Sequence, residues 1–150
     1  MKELTIDYAL RATWQAVARM YNEEAKTFES TMAVGFTLLS IDPKTGTPST
    51  ALGPKMGMEA TSLSRILKSM EEKGLIERKP NPSDGRGVLI HLTEFGLEKR
   101  TDSKDAVLRF NEVVRQHVPE EKLQGFFEVT ETINKLIADK NIYIKDKSNH

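Results

Sequence analysis

Between residues 59 and 92 the apolar period switches from helical to extended across one glycine. Ala60, Leu63, Leu67 and Met70 recur at intervals of three and four, the stripe of a helix with one face in a core. Gly74 then stands where a left-handed cap closes a helix, with Lys73 suiting the negative helix end. Leu75-Ile76-Glu77-Arg78-Lys79 follows as a strand, Pro80 to Gly87 as a polar loop, and Val88-Leu89-Ile90-His91-Leu92 as the returning strand. A helix feeding a hairpin leaves few folds open, because both elements must cover the same small core.

The flanks are helical. Ile6, Leu10, Trp14, Val17, Tyr21 and Phe28 make one stripe over residues 6–28. Ser30 or Thr31 caps a second, shorter helix through Met32, Ala33, Phe36 and Leu39, which Pro43 stops. Asp42 to Gly46 is a turn by composition. Thr47-Pro48 predicts a helix start with Thr47 as N-cap and Pro48 first in the helix. Pro54 predicts a kink or split near Gly53-Pro54, and Gly57 ends that element. Thr93 opens a long helix with an intermittent apolar face of Leu97, Leu108, Val114 and Val118. Pro119 divides it from a last helix striped by Leu123, Phe126, Phe127, Thr130, Ile133 and Ile137. The expected fold is mostly α (α+β), a winged helix-turn-helix between long terminal helices.

Composition removes several function classes. None of the 150 residues is a cysteine, which excludes disulfides, thiolate metal sites and thiol nucleophiles. His91, His117 and His150 are scattered, so no metal site is expected. No nucleophile elbow, phosphate loop or zinc-protease motif occurs, and the paired acids Glu23-Glu24, Glu71-Glu72 and Glu120-Glu121 sit where solvation or a helix dipole accounts for them. We expect no catalytic residue and no cofactor. No apolar run reaches the roughly 18 residues of a membrane span, and the acidic start argues against a signal peptide, so a cytoplasmic protein is expected. The 22 basic and 22 acidic residues cancel. Only residues 45–100, with 9 basic and 7 acidic, are net positive.

That middle region carries the chemistry of a double-stranded DNA reader. Opposite the apolar stripe lie Thr61, Ser62, Ser64, Arg65, Lys68 and Ser69. Small hydroxyls keep the helix slim enough for a major groove about 12 Å wide. Arg65 has the fork that grips guanine O6 and N7, and Lys68 suits a phosphate. Arg86 at the hairpin tip fits the narrow minor groove, with Asp84 stiffening the tip beside it. Arg78 and Lys79, at the hairpin base, serve equally as phosphate contacts or as solvated charge. Glu59 occupies the helix N-cap, where a carboxylate suits the dipole but repels a nearby phosphate.

The run from Met56 to Leu67 and from Met70 to Arg78, followed by Asp84-Gly85-Arg86, Leu89, His91-Leu92-Thr93 and Gly96, resembles the MarR family of bacterial transcription regulators. The resemblance covers roughly residues 47–100. It implies one domain over residues 1–150, with dimerisation helices at 1–29 and 101–150 and a DNA-binding lobe at 31–100. It further implies a homodimer on a pseudo-palindromic operator, released by a small aromatic or anionic ligand. Trp14 and Phe36 are the candidate pocket residues, though packing in the helix or dimer seam explains them as well. The competing reading is a winged-helix protein-interaction module that binds no DNA, which the zero net charge and Glu59 favour.

Overall fold

The computed structural model describes residues 4–144, and all side chains among them except those of Asp84 and Arg86. The elements run α1 (Ile6–Lys26), α2 (Met32–Ser40), β1 (Thr47–Pro48), α3 (Ser49–Met56), α4 (Ala60–Glu72), β2 (Ile76–Asn81), β3 (Asp84–Leu92), α5 (Glu94–His117) and α6 (Glu120–Ala138). Two compact units divide the chain, one through Leu108 and the other from Arg109, so α5 contributes to both.

The first unit holds the helix-turn-helix and the sheet. The expected caps form: Thr31 accepts from the Val34 N–H, and Gly74 adopts φ 75° at the end of α4. There the Leu75 N–H reaches back to the Met70 carbonyl, the bond a left-handed residue makes possible. Leu38, Ile41, Leu52, Leu63, Leu67, Met70, Ile76 and Ile90 form the core, so α2, α3, α4 and the sheet share one apolar centre. Burial of such side chains, at about 1.5–3 kcal/mol each, holds the lobe together.

The sheet has the order β1-β3-β2, antiparallel throughout. Thr47-Pro48 is therefore a strand and not the helix start expected from its hydroxyl-proline pair. Pairing of Thr47 with Ile90 takes the backbone, and the Thr47 hydroxyl accepts from the Asp42 N–H, closing the turn before it. The helix begins at Ser49 instead.

Pro54 lies inside α3 without splitting it, and the helix runs unbroken from Ser49 to Met56. Its missing N–H would have bonded the Thr50 carbonyl, and Thr50 is exposed, so water can serve that group. One turn later Gly57, at φ 63°, closes the helix, and Met58 N–H bonds the Gly53 carbonyl at 2.9 Å.

The hairpin is tighter than its composition suggests. β2 runs to Asn81 and β3 starts at Asp84, leaving only Pro82-Ser83 as the connection. The Asn81 side chain accepts from the Ser83 N–H at 3.0 Å and builds that turn. Register jumps from Pro80↔Val88 to Asn81↔Asp84, so Gly85-Arg86-Gly87 bulge from β3. Proline cannot donate to the ladder, and the jump falls beside it.

Several expected core positions are solvent-facing in the single chain. Ala60 is exposed, because it opens α4 one turn ahead of Leu63, the first residue to reach the core. Ile6, Leu10 and Trp14 are exposed on α1, while Val17, Tyr21 and Phe28 are half-buried. Leu97 and Leu108 are exposed on α5.

In the second unit Leu123 is the buried residue of α6, whereas Phe126, Phe127 and Ile137 face solvent. The Arg115 guanidinium bonds the Glu120 carboxylate at 2.9 Å across the break at Pro119. A hydrogen bond from Gln124 and the charge of Arg115 hold the Glu120 carboxyl below its usual range.

Candidate nucleic-acid interface

Helix α4 is held by its buried face and by both ends. Leu63, Leu67 and Met70 anchor it, Gly57 fixes its entry and Gly74 its exit. At the exit, the Thr93 hydroxyl donates to the Gly74 carbonyl at 2.6 Å and accepts from the Gly96 N–H at 3.0 Å. One side chain thus caps α5 and ties it to the end of α4. The helix is a rigid bar, so its outer side chains keep fixed spacing.

Thr61, Arg65 and Lys68 follow one another at intervals of four and three along the middle of the outer face, and all are exposed. Ser62 and Ser64 flank them and are exposed too. Ser69 is half-buried, with its carbonyl accepting from Lys73 N–H. Neither Arg65 nor Lys68 makes an ion pair or hydrogen bond among the described residues. Both cations stand free for an anionic partner.

The hairpin cations differ. Arg78 Nε lies 3.3 Å from Glu71 of α4, and Lys79 Nζ lies 3.9 Å from Glu77. Both pairs are exposed and add little stability, but they give these cations local partners. The Arg78–Glu71 pair joins strand to helix across the fold, and no spacing in the sequence announces it. The expectations for Arg86 and Asp84 fall on side chains outside the described residues.

The two candidate pocket residues are not brought together. Phe36 meets Tyr21 edge-on at 5.7 Å between ring centres and lines a cavity of about 20 Å³ with Ala25, Phe28, Gly35 and Ser103. Trp14 is not among the lining residues and is 53 % exposed. That volume holds about one water molecule. Burial raises the Tyr21 phenol above its usual range. Tyr21 and Phe28 were legible as part of the first helical stripe. Ser103 was not, since it reaches the cavity only through the contact of α5 with Gly35.

Among the described residues no group of three His, Asp or Glu can hold a metal, and no helix is long and apolar enough to cross a membrane.

Residues 31–88 match the family model of the MarR family. The chain is 31 % identical over 78 residues to YdgJ, an uncharacterized HTH-type transcriptional regulator of Bacillus subtilis, covering 52 % of this chain and 48 % of that protein. It is 35 % identical over 78 residues to the multiple antibiotic resistance protein MarR of Escherichia coli, covering 52 % and 54 %. The chain thus spans about half the length of these curated relatives. Among solved structures, it is similar to S. aureus MepR in complex with DNA, with TM-score 0.79 and 20 % identity over 89 % of this chain and 99 % of that one. It is also similar to a mutant E. coli MarR complexed with operator DNA, with TM-score 0.76 and 22 % identity over 85 % and 92 %.

Proposed function

We propose that this chain, whose residues 31–88 match the MarR family model, is a member of that family that regulates transcription by binding double-stranded DNA as a homodimer. The observation that carries this reading is the line of Thr61, Arg65 and Lys68 on α4, exposed and with both cations unpaired among the described residues. In this reading α4 lies in the major groove. Thr61, Ser62, Ser64 and Arg65 read or orient on base edges, and Lys68 binds phosphate. Ser69, Arg78 and Lys79 flank the contact, the latter two by exchanging their carboxylate partners for phosphates. Arg86 enters the minor groove from the hairpin tip, with Asp84 supporting it.

Two copies would place two such helices on a pseudo-palindromic operator. Residues 1–29 and 101–150 would form the dimer, and residues 31–100 the DNA-binding lobe. The exposed aromatic residues Trp14, Phe126 and Phe127 support this, since large apolar side chains in water favour a partner. The same reading makes the chain a cytoplasmic, non-enzymatic protein that needs no cofactor. A small aromatic or anionic ligand belongs to it as the releasing signal. Phe36 lines the cavity that would widen to admit one, and Trp14 would join only through a rearrangement.

Zero net charge favours a second reading, a winged-helix module that docks on protein and not on DNA. Selection of bound sequences from random duplex DNA separates the two. Enrichment of one palindrome, with affinity falling as salt rises, supports the regulator. Absence of any enriched sequence, at low salt and micromolar protein, overturns it in favour of the docking module.

A further inference from the structure

Glu59 stands at the head of a face otherwise built of hydroxyls and cations. From Glu59 to Lys68 the chain holds one acid and two bases. An acid at that place opposes phosphate binding, so its presence calls for a reason in local structure or in recognition.

The local reason is slight: at an exposed helix start the charge gains only the attraction of the helix dipole, and no contact adds to it. Glu59 is the N-cap of α4, with φ −68° and ψ 149°, yet its side chain makes no capping hydrogen bond. It forms no ion pair among the described residues, and it is exposed. Its backbone, by contrast, is fixed. The Leu63 N–H bonds the Glu59 carbonyl at 3.0 Å, and the turn just before it is locked by Gly57 and by the Met58–Gly53 bond. The carboxylate therefore projects from a rigid point at the leading end of the helix, where such helices meet base edges.

A carboxylate only accepts hydrogen bonds at neutral pH. Phosphates offer it none. In the major groove the only strong donors are the amines of cytosine N4 and adenine N6. The adenine amine sits between two acceptors, its own N7 and thymine O4. The cytosine amine has a single acceptor neighbour, guanine O6. A carboxylate aimed into the groove is thus repelled least, and bonded best, by cytosine.

We propose that Glu59 is a specificity-determining residue that accepts from a cytosine N4 amine in each half-site and repels the other bases. The proposal rests on the reading of α4 as the groove-binding helix. Its chemistry pairs with that of Arg65: a cation selects guanine on one strand, an acid selects cytosine, and together they favour G·C pairs in the contacted steps.

The test is selection from random duplex DNA with the wild type, Glu59→Ala and Glu59→Gln, followed by anisotropy titration on the selected duplex and on duplexes changed at one position. The wild type should enrich cytosine at one position per half-site and discriminate there by about tenfold. Glu59→Ala should lose that preference while binding unselected DNA more tightly, because a repulsive charge has gone. Glu59→Gln should move the preference toward adenine, whose N6 and N7 an amide grips with two bonds. No capping bond is lost in either variant, only the attraction of an exposed charge to the helix dipole, so both should melt within a few degrees of the wild type. Identical preferences in all three proteins overturn the role of Glu59. A wild type that enriches no sequence overturns the DNA-binding reading itself and this role with it.

Discussion

The Cα of Gly96 faces the backbone carbonyl of Leu75 so closely that a β-carbon there would overlap the oxygen. Helix α5 thereby rests directly on the segment joining α4 to β2. The Thr93 N–H bonds the same carbonyl at 3.1 Å, and the Thr93 hydroxyl bonds Gly74 beside it. This contact holds the start of α5 against the end of α4.

Gly96→Ala should destabilise the protein by about 1–3 kcal/mol, since overpacking against backbone cannot be relieved by a rotamer change. Helix propensity alone predicts the opposite sign, a gain of up to about 1 kcal/mol for alanine inside a helix. Urea unfolding followed by circular dichroism decides between them. A stabilised variant would show that α5 does not rest on Leu75.

Arg65→Ala should weaken binding to the selected operator by about 1–3 kcal/mol and relax the preference at one base pair. Lys68→Ala should instead weaken binding to all duplexes alike and reduce the salt slope by about one. Titrations at several salt concentrations check both. Variants that bind as the wild type does would remove α4 from the groove.

Light scattering should give twice the chain mass of 16.9 kDa at micromolar concentration. Phe126, 52 % exposed in the single chain, should be covered in that dimer. Phe126→Glu should shift the mass toward the monomer and weaken operator binding with it, because the second half-site is lost. A dimer unaffected by this change would place the interface elsewhere.

The Asp42 carboxylate accepts from the N–H groups of Thr45 and Lys44, at 3.0 and 2.8 Å, and these bonds lower its pKa. A carboxyl depressed in the folded state contributes stability above its unfolded pKa, and loses it as pH falls through the lower folded value. The turn before β1 should therefore loosen below about pH 4. The protection of the Lys44 and Thr45 amides, taken relative to intrinsic exchange at each pH, should fall in acid in the wild type. In Asp42→Ala it should be low already at neutral pH. Equal protection in the two proteins would show that the side chain does not hold the turn.

Local chemistry was legible wherever the residues in question were neighbours along the chain. Thr31 and Thr93 cap helices, Gly57 and Gly74 take positive φ, and Leu63, Leu67 and Met70 are buried, each as its own sequence neighbourhood requires. Where pairing across the fold intervenes, the same reasoning goes astray. Thr47-Pro48 has the composition of a helix start, yet β3 offers its backbone a strand partner. The polar composition of residues 80–87 suggests a long loop, but the ladder to β2 continues nearly to its tip.

The candidate interface divides along the same line. Exposure of Thr61, Ser62, Ser64, Arg65 and Lys68 follows from the period of a helix whose opposite face is apolar, and needs no knowledge of its neighbours. Which cations are free could not be read that way. Arg65 and Lys68 stand unpaired among the described residues while Arg78 meets Glu71 from another element, and only the approach of β2 to α4 creates that difference. Trp14 and Phe36 look alike as aromatic residues on apolar stripes, but one is left in solvent and the other lines a cavity. Sequence fixes what each helix can bury, because periodicity is a property of one element. The tertiary structure alone decides what each helix does bury, because burial and pairing belong to two elements at once.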